Sequence, residues 1–127
     1  MIQEKYILPH TKEEYITLDK SSQRYKEIEI ETIWYYAEKL AKELKGRVSN
    51  DVRYAILTEH YVDDPMNYLW EDNISIYLFD KNKMELGNII SLSNKYEDTI
   101  DEGFDDILKG DYLCANTKYL DELGILE

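Results

Sequence analysis

Ser22-Gln-Arg-Tyr-Lys-Glu-Ile-Glu-Ile-Glu-Thr-Ile-Trp-Tyr-Tyr-Ala-Glu-Lys-Leu-Ala-Lys-Glu-Leu-Lys-Gly46 is the stretch on which the fold turns. Ile30, Ile33, Trp34, Ala37, Leu40, Ala41 and Leu44 recur at helical spacing, which predicts a helix over at least Thr32 to Lys45. Lys42 and Lys45 suit its negative end, and Gly46 stands where a C′ glycine belongs. Upstream the reading divides. Glu27-Ile28-Glu29-Ile30-Glu31 alternates with period two, as a half-buried strand does, yet the helical stripe allows a start as early as Ser22. The long helix is the preferred version, with strand-then-helix as the alternative.

On the N-terminal side, Tyr15-Ile16-Thr17-Leu18 is short and β-prone, and Asp19-Lys20-Ser21-Ser22 reads as a turn. On the C-terminal side the period changes. Val52, Tyr54, Ile56 and Thr58 alternate with Arg53, Ala55, Leu57 and Glu59, and Ile74, Ile76 and Leu78 alternate with Ser75, Tyr77 and Phe79. Leu86, Ile90 and Leu92 share a third parity that includes Asn88. These are three strand candidates, and Asp80-Lys81-Asn82-Lys83 is a good hairpin turn. Thr99-Ile100-Asp101-Glu102 fits a capping box before the stripe Ile100, Phe104, Ile107, Leu108, and a short last helix is expected from Thr117 to Leu123. The expected fold is therefore α+β: an N-terminal helix, a three-stranded antiparallel meander, and one or two C-terminal helices packed on the sheet.

With 127 residues, no low-complexity tract and no visible repeat, residues 1–127 read as a single acidic α+β domain. Such a chain buries roughly two-thirds of its unfolded surface. There are 27 Asp+Glu against 15 Lys+Arg, a formal charge of −12, which opposes direct binding to nucleic-acid phosphates or anionic membranes. The longest apolar run, Ile33 to Ala37, falls far short of the ~18 residues of a membrane helix. Met1-Ile2-Gln3-Glu4 lacks the pattern of a secretory signal, and a single cysteine fits a reducing compartment, so a cytoplasmic setting is expected.

Little of the sequence points to catalysis. The five glycines are scattered, which excludes a phosphate loop and a dinucleotide fingerprint. Two histidines and one cysteine are too few for a structural zinc site. His60 with Glu59, Asp63 and Asp64 is the nearest approach to a ligand cluster, better read as a strand-end histidine beside a solvated acidic loop. His10 lies near a turn and supports nothing specific. Cys114, flanked by Asp111, Tyr112 and Leu113, reads as a buried small hydrophobe with a raised thiol pKa. The sequon Asn73-Ile74-Ser75 is taken as accidental. No catalytic residue, cofactor or metal ligand is expected.

Two features point to a partner. Residues 93 to 127 hold ten acids against three lysines, and Asp98, Asp101, Glu102, Asp105 and Asp106 fall on the helix face opposite Ile100, Phe104, Ile107 and Leu108. A self-repelling face of this kind can be kept to steer a basic partner, although a solvated acid surface is the plainer account. The loop Asp63 to Asp72 places Tyr68 and Trp70 between two acidic pairs, as anchors or as a flap over the sheet. Tyr35, Tyr36, Tyr54, Tyr61 and Tyr77 are assigned to core edges, or to a wet protein-binding surface. The leading expectation is a small inhibitor that neutralises a basic partner, most plausibly a nucleic-acid-acting enzyme. Toxin immunity and phage anti-defence proteins, anti-CRISPR inhibitors among them, have this physical need. The alternative is a non-catalytic adaptor binding through a sheet face or edge strand. A small metal-dependent hydrolase around His60 is the third.

Overall fold

The computed structural model describes residues 2–59, 74–88 and 111–126. A single long helix, α2 (Gln23–Glu43), resolves the divided reading of the first third of the chain. Ser22 caps it in extended backbone, its side chain accepting the Tyr25 amide at 3.1 Å. The alternation of residues 27–31 loses to a longer period. Tyr25, Ile28, Thr32, Ile33, Ala37, Leu40, Ala41 and Leu44 are all buried, and only five residues argued for a strand. The helix stops earlier than expected, at Glu43 with Leu44 as C-cap, so Lys45 and not Gly46 takes the C′ place. Gly46, at φ 87°, serves the next turn, in which the Arg47 amide donates to Leu44 O at 2.8 Å.

The short β-prone stretch Tyr15–Leu18 falls in a helix instead, α1 (Lys12–Thr17), with Leu18 as its C-cap. Two contacts override the β propensity. The buried Tyr15 ring stacks on Tyr25 with centroids 4.4 Å apart, and its hydroxyl accepts the Tyr25 hydroxyl proton at 2.8 Å. Thr17, β-branched in the last turn, returns its hydroxyl to the carbonyls of Glu13 and Glu14 at 3.2 and 3.0 Å. Residues 19–22 form the expected turn, with Ser22 N donating to Asp19 O at 2.9 Å. Arg24 then ties α2 back to Glu14 of α1, Nε to Oε1 at 2.7 Å.

The remaining elements are β1 (Tyr54–Glu59), β2 (Ile74–Phe79), β3 (Glu85–Asn88), β4 (Cys114–Asn116) and α3 (Thr117–Glu122). The strands form a mixed sheet in the order β3-β2-β1-β4, giving the α+β class expected. β1, β2 and β3 make the antiparallel meander, with Ala55 opposite Leu78 and Leu57 opposite Ile76. The fourth strand was not anticipated: β4 pairs parallel to β1, Leu57 opposite Cys114 and Glu59 opposite Asn116. Asn116 also caps α3, accepting the Lys118 amide at 2.8 Å. With a neighbour on each side, β1 is no half-buried strand, and Ala55, Ile56, Leu57 and Thr58 are all buried. Successive residues enter different clusters, Ile56 beside Ile33, Ala37 and Leu120, and Ala55 and Leu57 beside Leu40, Leu44 and Leu78. The capping-box helix expected after Thr99, and Ile90 and Leu92 of the third strand, lie outside the described residues. No helix among the described residues is long and apolar enough to cross a membrane.

Two inward placements are corrected. Leu86 is 43% exposed because β3 carries a bulge: Leu78 faces Gly87 while Phe79 faces Glu85, leaving Leu86 as the extra residue. Cys114 is exposed rather than buried, because Leu113 and Ala115 take the inner parity of β4.

The β2–β3 turn fulfils its expectation with identifiable chemistry. Asp80 Oδ1 accepts the amides of Asn82 at 2.8 Å and Met84 at 3.0 Å, and Lys83 adopts φ 63° to close the loop. Asp80→Ala removes both acceptances and is expected to cost about 1 kcal/mol, with Asp80→Asn recovering most of it. Urea midpoints of the three proteins measure this. An unchanged midpoint for Asp80→Ala would mean that water replaces the carboxylate without loss.

Candidate binding groove

Asp98, Asp101, Glu102, Asp105, Asp106, Tyr68 and Trp70 lie outside the described residues, as do Tyr61, His60, Asp63, Asp64 and Asn73. Among the described residues no three His, Cys, Asp or Glu side chains come together as a metal-ion site. Cys114 pairs with Leu57 on β1, and Glu59, two residues further along that strand, acts on it through its charge. Partial burial of its sulfur first, and the charge of Glu59 second, raise the thiol pKa, which disfavours the nucleophilic thiolate.

The described fold concentrates its surface chemistry on the outer face of α2. Three aromatics in succession, Trp34, Tyr35 and Tyr36, sweep about 200° around a helix, wider than one buried stripe. Their rings must therefore straddle core and solvent. Trp34 turns to the sheet, edge-on to Phe79 at 5.2 Å and to Tyr54 at 5.1 Å between centroids. Tyr36 is half-buried, meeting Tyr6 at 5.4 Å and Tyr35 at 5.3 Å. Burial, then the nearby Asp111 charge, raises the Tyr36 pKa, so the phenol stays protonated. Tyr35 remains 47% exposed, unlike the core-edge placement expected for it; Tyr54 and Tyr77 do sit at the core edge.

Trp34, Tyr35 and Tyr54 line an open groove of about 340 Å³, with Leu8, Pro9, His10, Glu31, Glu38 and Lys83 around them. Glu31 and Glu38 stand one turn before and one turn after the two helix aromatics, on the same side of α2. His10 Nε2 approaches Glu31 Oε1 at 3.4 Å, so a residue that carried no signal in the sequence becomes part of the rim. Arg53 and Lys42 reach Glu38 Oε1 at 3.1 and 3.7 Å. Lys83 places its ammonium 5.1 Å from the Trp34 ring centre and 6.0 Å from that of Tyr54. Lys39 stands 5.8 Å over Tyr35 and 5.5 Å over Tyr36, and Lys5 4.7 Å over Tyr6. The arrangement is a belt of ring faces rimmed by carboxylates, able to hold cationic or planar groups. The Trp-Tyr-Tyr run was its one legible signal. Lys83, Tyr54 and His10 are far from that run in sequence, and only the fold brings them to it.

The chain matches no protein-family model, no curated protein and no solved structure.

Proposed function

We propose that the chain is a small, non-catalytic protein-binding inhibitor that neutralises a basic partner, with a nucleic-acid-acting enzyme as the fitting target class. The carrying observation is where the charge lies. Residues 60–73 and 89–110 hold ten acids against two lysines, whereas the other 91 residues hold 17 acids against 13 bases. Acidity kept only for solubility has no reason to gather in two short stretches of the sequence. Grouped carboxylates can occupy cationic subsites that otherwise take phosphates, and they steer association with a basic surface. Toxin immunity and phage anti-defence inhibition, anti-CRISPR activity included, are roles with that requirement.

Capture from a lysate with this protein as bait, washed at rising salt, tests the reading. Recovery of a basic nucleic-acid enzyme that is released as salt rises supports it. The variant Asp101→Asn, Glu102→Gln, Asp105→Asn, Asp106→Asn is then expected to fold normally and to associate about tenfold or more slowly at low salt. Unchanged association would remove the acidic face from the account.

One observation favours an adaptor as the second reading. Among the described residues β3 ends the sheet order, and Met84 before it and Leu86 within it are 64% and 43% exposed, as an edge suited to strand addition would be. Capture through that edge would resist salt.

A further inference from the structure

We propose that the groove around Trp34 is the seat for an arginine side chain of the basic partner; this rests on the function proposed above and assigns it a site. Each of the three rings that line the groove carries an ammonium of the chain itself: Lys39 on Tyr35, and Lys83 on Trp34 and Tyr54. Ring faces that draw in two of the chain's own cations carry the negative face of an aromatic quadrupole. Glu31 and Glu38 add formal charge on either side, one helical turn from Tyr35 in each direction. The occupant that satisfies both features is planar, cationic and able to donate to carboxylates. Guanidinium does all three, while an ammonium is more strongly hydrated and does not stack.

The groove is already partly served, and cheaply so. His10 on Glu31 and Lys42 and Arg53 on Glu38 are contacts of exposed bases with partly exposed carboxylates, at 3.4, 3.7 and 3.1 Å. Exposed pairs of this kind contribute little and are readily exchanged for an incoming cation. Lys83 is the chief internal competitor, held over Trp34 by a hairpin residue at φ 63°. The sign of its effect separates a cation seat from an anion seat. In a cation seat the lysine competes with the ligand, and in an anion seat it holds the ligand.

The test is a titration of the purified chain with acetyl-triarginine amide and, separately, with acetyl-triglutamate amide, followed by the ¹⁵N-indole resonance of Trp34. Triarginine is expected to shift that resonance saturably and triglutamate not to. Tyr35→Ala, at an exposed position, should weaken triarginine about fivefold. Lys83→Asn, a residue that suits the left-handed turn, should tighten it severalfold. No saturable shift, weaker triarginine binding in Lys83→Asn, or binding of triglutamate instead would each overturn the assignment. Saturable triarginine binding with an empty lysate bait would support the seat and sink the basic-partner reading. Salt-released capture of a basic protein, with no triarginine binding and no effect of Tyr35→Ala on capture, would overturn the seat alone.

Discussion

Phe79→Ala is expected to remove about 3–5 kcal/mol of stability, a large share of what a domain of this size has. The ring is fully buried at the end of β2, opposite Tyr54, in the cluster that joins α2 to the sheet. Truncation loses its transfer free energy and leaves a cavity, because Trp34 meets it edge-on at 5.2 Å and cannot collapse onto the space without leaving Tyr54. The backbone bond from Arg53 N to Phe79 O is kept, so the loss reports packing alone. Thermal melts should fall by about 10–20 °C, with Leu86→Ala at the exposed bulge as a control within about 0.5 kcal/mol of the parent. A loss below about 1 kcal/mol for Phe79→Ala would show that the cluster does not depend on this ring.

Glu29→Gln is expected to gain stability over the parent as pH rises. Glu29 is 4% exposed on α2, and its Oε2 accepts the Ile2 amide at 3.3 Å. Burial raises its pKa above the ordinary carboxylate value; the Ile2 hydrogen bond and the N-terminal charge oppose this and are outweighed. A folded pKa above the unfolded one means that the folded chain holds the proton more tightly. The associated stability is complete below the unfolded pKa of about 4.5 and is lost as pH climbs through the folded value. One proton limits the slope to about 1.4 kcal/mol per pH unit. Parent and variant should therefore melt alike near pH 4 and diverge in the variant's favour toward pH 8. If the gap stays constant across that range, the carboxylate is not desolvated in the folded chain.

The helix that organises the fold was legible because its signal is long. About five turns of buried spacing from Tyr25 to Leu44, behind a serine cap, outweigh the five-residue alternation of residues 27–31. Tyr15–Leu18 misled for the opposite reason. An element of one or two turns shows no period, and its state is set by Tyr15 meeting Tyr25. The strands of β1 and β2 were readable in position but not in burial. Alternation marks a strand, whereas coverage of its two sets of side chains depends on distant apolar residues of α2, β2, β4 and α3. The exposed Leu86 follows from a one-residue bulge that no parity argument contains. As for the site, the acidic stripe and the Tyr68–Trp70 loop are sequence expectations outside the described residues. The groove drew one cue from the Trp34-Tyr35-Tyr36 run and the rest from distant positions.

By itself the sequence determined the helical stripe from Ile30 to Leu44, the α+β class, the hairpin at Asp80 and the uneven distribution of charge. Each of these is written within a few residues, where periodicity, side-chain acceptors and charge act over one or two turns. The tertiary structure alone decided the parallel fourth strand, the helical state of α1, the outward thiol of Cys114, and the meeting of His10, Glu31, Trp34, Tyr54 and Lys83. Those depend on which distant segments bury each other's apolar surface, a choice made by packing the whole chain and one that local spacing does not encode.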